Sequence, residues 1–167
     1  VFVTVWLCTN WAFADSSSSV SAGGKAHAPA RSVVVKETES DFPIGKLRLG
    51  GKVYKVEIAE RNDLRTRGLM FRTDWPFADA MLFIFENEQP LSFWTKNTFL
   101  PLSIGYFDAK QRLVDVQDMT PVKSEMEEPT TYPSKRPAKY ALEVPQGFFK
   151  KNKIEIGARF ELIHTAK

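Results

Sequence analysis

Residues 80–106 read Ala-Met-Leu-Phe-Ile-Phe-Glu-Asn-Glu-Gln-Pro-Leu-Ser-Phe-Trp-Thr-Lys-Asn-Thr-Phe-Leu-Pro-Leu-Ser-Ile-Gly-Tyr. Met81 to Phe85 is apolar without alternation, which predicts a strand covered on both faces. Glu86 to Pro90 carries turn residues, and Leu91 to Lys96 predicts the returning strand. Alternation sets Leu91, Phe93 and Thr95 on one face and Ser92, Trp94 and Lys96 on the other. The densest apolar run after the first 14 residues thus leads into the most unusual polar cluster, Trp94, Lys96 and Asn97. Together these three offer a stacking surface, a cation and an amide that both donates and accepts. The bland alternative packs Trp94 in the core, lets Lys96 snorkel past it, and has Asn97 cap the turn before Pro101.

The sequence on either side of this stretch is also sheet-forming. Lys46 to Leu49 and Lys52 to Ala59 flank Gly50-Gly51, a hairpin signal. In the second of these strands Tyr54, Val56 and Ile58 alternate with Lys55 and Glu57, predicting one buried and one wet face. Arg61 to Arg72 switches to helical spacing, with Asn62 as a cap. Arg61, Arg65, Gly68 and Arg72 form a stripe one turn apart, either a solvated face or an anion-facing edge. Gly68 either admits a ligand or a backbone closely or ends the helix. Beyond the central stretch, Leu102 to Phe107, Arg112 to Met119 and Lys139 to Val144 predict further strands. Val114, Val116 and Asp118 are expected on one face, and Asp118 then seeks a cation, Lys96 or Arg65, unless it lies at the strand's wet end. Pro121 to Pro137, with prolines at 121, 129, 133 and 137, predicts a long irregular loop anchored by Tyr132. Pro145 to Lys153 predicts a helical turn, and residues 154–156 with Arg159 to Ile163 close the sheet. Glu143, on the face opposite Tyr140 and Leu142, is the acid best placed to meet Lys96 or an arginine of the first helix. The fold class is therefore α+β, mostly antiparallel β: a single compact barrel-like or sandwich-like domain with one short helix near its start.

The chain has 167 residues and divides by composition. Val1 to Ala14 is uncharged and apolar and ends in Ala12-Phe13-Ala14, the pattern of a secretory signal peptide truncated at its start. It is too short for a membrane span, which takes about 18 or more apolar residues. Residues 15–41, rich in Ser, Ala, Gly and Pro, predict a flexible tether, with His27 solvated. Residues 42–167 hold one β-rich domain. Cys8, the single cysteine, lies in the leader, so the mature chain has no thiol, no disulfide and no cysteine-based metal site. The expected localisation is exported, periplasmic or extracellular, with no transmembrane segment after cleavage.

Catalytic templates find little purchase. No Gly-x-Ser-x-Gly elbow, HExxH, calcium loop or phosphate-cradling glycine loop occurs, and neither histidine is placed for a triad. Glu143 and Asp118 are the only facing acids worth naming for hydrolysis or transfer, with Lys96 as electrostatic partner. No cofactor and no metal is implied. The net charge of +3 is modest and its signs are interspersed, which with export argues against nucleic acid as a partner. Charge is nonetheless segregated: Asp108 to Glu128 holds six acids against three bases, and Ser134 to Lys167 eight bases against three acids. The basic end suits anionic lipid or an envelope polymer.

Several motifs in order, Arg67-Gly68-Leu69-Met70-Phe71-Arg72, Met81-Leu82-Phe83, Phe93-Trp94-Thr95-Lys96-Asn97-Thr98, Pro101-Leu102 and Tyr140-Ala141-Leu142-Glu143-Val144 with Gly147, resemble the domain of unknown function 192 family. The resemblance covers about Gly50 to Ile163 and implies a compact, mostly β domain with a short early helix, often behind a signal peptide or anchor. It implies no activity. Thr95, Ser103 and Ala80 stand where the family usually shows Met, Asp and Gly. If the acid usual at position 103 is catalytic, this copy is impaired; if it supports a turn, little changes. The expectation is a binding or accessory module of the cell envelope that takes a small polar or anionic ligand or an envelope polymer. Its candidate ligand-binding residues are Arg65, Gly68, Arg72, Trp94, Lys96, Asn97, Asp118 and Glu143. The alternatives are the Glu143 or Asp118 enzyme and a purely structural envelope protein.

Overall fold

The computed structural model describes residues 40–75 and 77–163, so the leader, the tether up to residue 39 and His27 lie outside the described residues. Seven strands form one mixed sheet in the order β6-β5-β8-β3-β2-β1-β9. They are β1 (Ile44–Leu49), β2 (Lys52–Ala59), β3 (Ala80–Gln89), β5 (Leu102–Phe107), β6 (Leu113–Met119), β8 (Ala138–Pro145) and β9 (Phe160–Ile163). β4 (Ser92–Trp94) and β7 (Thr131–Pro133) make a separate two-stranded ribbon. Every pairing is antiparallel except β2 with β3, whose parallel register needs the crossover that helix α1 (Asn62–Arg67) supplies. A second short helix, α2 (Phe148–Lys151), follows β8 where a helical turn was expected. The edges β6 and β9 meet at one end through the Arg112–Arg159 bridge, and Leu113 N–H donates to the Ala158 carbonyl at 2.8 Å. The curled sheet is thus the barrel-like member of the expected pair.

Apolar residues cover both faces of the sheet. On one face Leu47, Val56, Leu82, Phe107, Leu142 and Phe160 surround Phe149 of α2. On the other, Met81, Phe83, Leu102, Ile104, Tyr106 and Ala141 lie beneath α1, Leu69, Leu91 and the β4–β7 ribbon. Double coverage corrects the reading of β2: Glu57, assigned to a wet face by alternation, is fully buried. The hairpin turn is as read, with Gly50 (φ 58°) and Gly51 (φ 77°) in the left-handed region that glycine occupies freely.

Four other expectations need correction. The turn placed at Glu86 to Pro90 is strand, because β3 runs on to Gln89 with a register shift against β8 after Ile84. The strand returning from it is only Ser92–Trp94 and pairs with Thr131–Pro133, not with β3, so the long loop is not wholly irregular. Helix α1 ends at Arg67, and Asn62 is its first residue and not its cap, the N-cap position falling on Arg61 without a side-chain capping bond; the early end leaves Arg72 outside any helical stripe. Val114 is the extra residue of a bulge in β6, which turns it onto the opposite core face from Val116, so it leaves the side that Val116 and Asp118 share through their partners Gly105 and Ser103.

Candidate functional site

One row of register partners crosses the second face: Glu57 on β2, Met81 on β3, Glu143 on β8 and Ile104 on β5. Two carboxyls therefore stand two strands apart, roughly 10 Å between backbones, in an otherwise apolar layer. Glu57 is neutralised by Arg72, whose Nη1 and Nη2 reach its two oxygens at 2.5 and 3.0 Å. The side chains are 0% and 16% exposed respectively, and the Ser40 hydroxyl adds a second donor to Glu57. Glu143 has no salt-bridge partner among the described residues. Burial pushes its carboxyl up to about 8, against the opposing pull of the Arg72 charge. The arginine expected to serve Glu143 is thus Arg72 from the loop after α1, and its guanidinium is committed first to Glu57.

That loop is built around Gly68. At φ 46° it ends α1, its N–H donating to the Leu64 carbonyl at 2.9 Å, so the helix-ending reading of this glycine is the observed one. Phe71 (φ 63°) and Asn97 (φ 51°) are both left-handed, a cost of about 1–3 kcal/mol each for such residues. They are tied to each other: Phe71 N–H donates to the Asn97 carbonyl at 2.7 Å. The tie joins the two motif loops and leaves the Phe71 ring 60% exposed.

A cleft of about 300 Å³ opens beside this loop, lined in part by Ser40, Asp41, Phe42, Arg67, Met70 and Arg72. Phe42 is flanked by two guanidiniums, Arg67 at 4.5 Å and Arg72 at 5.3 Å from the ring centre. Arg67 is 43% exposed and, among the described residues, ion-paired only with Asp41, at 3.0 Å and itself 77% exposed; solvated pairs of this kind are worth about 0–1 kcal/mol. Arg67 is therefore a cation that a ligand's anionic group can take over.

The remaining candidates fall into two groups. Trp94 is 46% exposed with the Lys96 ammonium 5.2 Å from its ring centre, a stacked pair on the outer face of the ribbon. The core-packed alternative for Trp94 does not hold, and of the two faces that alternation separated it is that of Leu91 and Thr95 that is buried. Arg65 is a structural staple: it donates to the Glu60 carbonyl and, at 2.9 Å, to the Ile84 carbonyl, and it covers Phe85. Asp118 meets neither Lys96 nor Arg65. It is exposed at the end of β6 and accepts the Ser103 hydroxyl, which in turn accepts the Gly147 N–H at 2.9 Å. Ser103 thus ties β5, β6 and the start of α2 together. Glu57, Arg67 and Phe71 escaped the sequence reading. Glu57 looked like a wet-face residue, Arg67 lay off the arginine stripe, and nothing in sequence signals a left-handed phenylalanine.

A sharp pH response follows from Glu143. Its folded value lies above the unfolded one, so its contribution to stability is fully present below about pH 4.5 and is lost as the pH rises to about 8. The loss amounts to ~1.4 kcal/mol for each pH unit of difference. Glu143→Gln is expected to flatten the pH dependence of the unfolding midpoint between pH 5 and 8; a variant that keeps the wild-type slope would place the titration elsewhere.

Comparison with known proteins fits these motifs. The family model for the domain of unknown function 192, described as "Uncharacterized ACR", matches residues 45–162. A UPF0127 protein of Pyrococcus abyssi is 32% identical over 111 residues, spanning 65% of this chain and 86% of that protein. A crystal structure from Sinorhizobium meliloti 1021, described as a candidate transcription regulator, superposes with a TM-score of 0.64 at 29% identity, covering 74% of this chain and 97% of that one. A protein of unknown function from Novosphingobium aromaticivorans DSM 12444 shares the fold at TM-score 0.65 and 24% identity, covering 83% and 99%. With its motif loops tied through Phe71 and Asn97 and its domain matched from residue 45 to 162, the chain belongs to the domain of unknown function 192 family.

Proposed function

We propose that this protein is an exported binding module of the cell envelope that holds a small polar or anionic ligand at the Arg67–Arg72 cleft, with Trp94 and Lys96 as an adjoining platform. The observation that carries the reading is the half-exposed Arg67 guanidinium at a 300 Å³ cleft, opposed among the described residues only by a solvated aspartate. A cleft of that size is at the lower bound of small-molecule sites. Arg72 floors it with a charge already balanced by Glu57, so Arg67 supplies the net attraction. The loop that lines the cleft is the one bound to Asn97, next to Lys96. The apolar leader Val1 to Ala14 supports export. A larger cavity of about 460 Å³ near the β1–β2 turn is a poorer candidate, because its lining, Arg48 to Gly51, Gln111 and Arg159 to Glu161, includes none of the motif loops at Arg67–Arg72 and Asn97.

Trp94→Ala combined with Lys96→Ala tests the platform. Both side chains are exposed, so the double variant is expected to unfold within about 1 kcal/mol of wild type. It should bind the ligand at least about tenfold more weakly, a loss of ~1.4 kcal/mol. Unchanged affinity in a titration would remove the platform from the site.

One observation favours a second reading, a hydrolase or transferase with Glu143 as general acid: a carboxyl held near pH 8 is protonated at neutral pH and can donate. Glu143→Gln separates the two, since the enzyme loses turnover while the binding module keeps its affinity.

A further inference from the structure

The basic C-terminal part of the chain is not used by the cleft, and three of its bases, Lys135, Arg136 and Lys150, line a groove elsewhere. We infer that this groove is a second, independent site, for a single-chain anionic amphiphile with its apolar tail in the groove and its head group on Arg136 and Lys150. The groove has a volume of about 680 Å³ and lies between β6, the segment at residues 135–136 and the end of α2. Its floor is apolar: Val116, Phe149 and Ile154, all of one core, with Ile156 at the edge and 61% exposed. An isoleucine left that far in water beside a concave apolar floor is surface that a tail would cover.

Charge at the rim selects the head group. Lys135 is spent on Asp115, at 3.1 Å, and Asp115 also accepts from Val116 N–H (3.0 Å), the Gln117 amide (2.7 Å) and Lys135 N–H (3.2 Å). That acid is 4% exposed and saturated with donors, so it does not repel an anion in the groove. Arg136 and Lys150 are exposed and, among the described residues, have no ion-pair partner. Glu155 is the one exposed acid on the lining, against these two cations.

Shape and backbone chemistry exclude the rival occupants. β6 is an edge strand, but the bulge at Val114 and the Asp115 carboxylate on Val116 N–H break the row of groups that an added peptide strand would pair with. A bilayer rests on a projecting face, whereas Phe149 and Ile154 lie at the bottom of a concavity, 3% and 7% exposed.

The test is calorimetric titration of the full chain with dodecanoate below its micelle concentration. Dodecyl maltoside shares the tail without the charge, butyrate shares the charge without the tail, and phosphatidylglycerol vesicles present the bilayer. One-to-one dodecanoate binding is expected, weakened at least about tenfold in Arg136→Glu/Lys150→Glu and in Ile156→Asp, and neither butyrate nor the maltoside should match it. All three substituted residues are exposed; should Ile156→Asp lower the unfolding midpoint, Ile156→Ser takes its place. Binding that survives both sets of substitutions, equal binding of the maltoside, or vesicle binding without dodecanoate binding overturns the inference. Because Arg67 is remote from these substitutions in sequence and lines another cavity, Arg67→Ala is expected to leave dodecanoate binding intact.

Discussion

Replacing Arg72 with alanine is expected to cost about 3–5 kcal/mol of folding stability, seen as a lowered midpoint in urea unfolding at an unchanged slope. The reason is what remains. Glu57 is fully buried, and without the guanidinium its carboxylate keeps only the Ser40 hydroxyl among the partners seen here. Burying a charge without a counter-charge is expensive, and the usual escape is to take up a proton. Removing both charges tests the assignment independently: Arg72→Met with Glu57→Leu should recover most of the lost stability, because a buried pair exchanged for apolar groups of similar volume is often neutral or better. A single-variant loss below about 1 kcal/mol would show instead that the pair is solvated. The function depends on the same pair, since a cleft floored by an unbalanced arginine would have a different net charge from one floored by a neutral ion pair.

Phe149→Ala is expected to cost a further class of stability, about 3–5 kcal/mol, by opening a cavity in the other core. Phe149 reaches from α2 into the space left by Gly105 on β5, where a β-carbon would overlap the tip of the Phe149 ring and sit 3.1 Å from a Leu113 methyl. The glycine is required by packing, not by its backbone angles. Gly105→Ala should accordingly cost about 1–3 kcal/mol through overpacking. Combined with Phe149→Leu, which frees room, it should cost less than the sum of the two alone. Additive losses would mean that the two positions do not share the space.

The parts of this fold that sequence discloses are those fixed by local pattern. The β1–β2 hairpin was legible from alternation around Gly50-Gly51, and period two separated Trp94 and Lys96 from Leu91 and Thr95, though not which of the two faces is wet. What was hidden depends on coverage and on long-range partners. Alternation assumes one wet face, so it misplaced Glu57 in a sheet covered on both. The Glu57–Arg72 pair joins residues 15 apart across a strand, a helix and a loop, and no periodicity encodes it. β4 looked like the partner of β3 because it follows directly, yet it pairs with Thr131–Pro133, in the proline-rich loop read as irregular. Asp118 was read as seeking a cation or lying at the strand's wet end; the second holds, with the Ser103 hydroxyl donating to it. Glu143 was correctly set on the face opposite Leu142, while its burial beside Arg72 needed the whole sheet.

The measurement that bears most directly on the binding-module reading is a thermal-shift screen of the wild-type chain and of Arg67→Ala against small carboxylates, phosphates, sugars and cell-wall fragments. A ligand present at a hundredfold excess over its dissociation constant raises stability by about 2.7 kcal/mol, a readily measured shift. The expected result is an anionic or polar compound that stabilises the wild type and leaves Arg67→Ala unmoved. A screen in which every hit stabilises both proteins equally, or in which no compound stabilises either, would contradict a ligand site at the Arg67–Arg72 cleft.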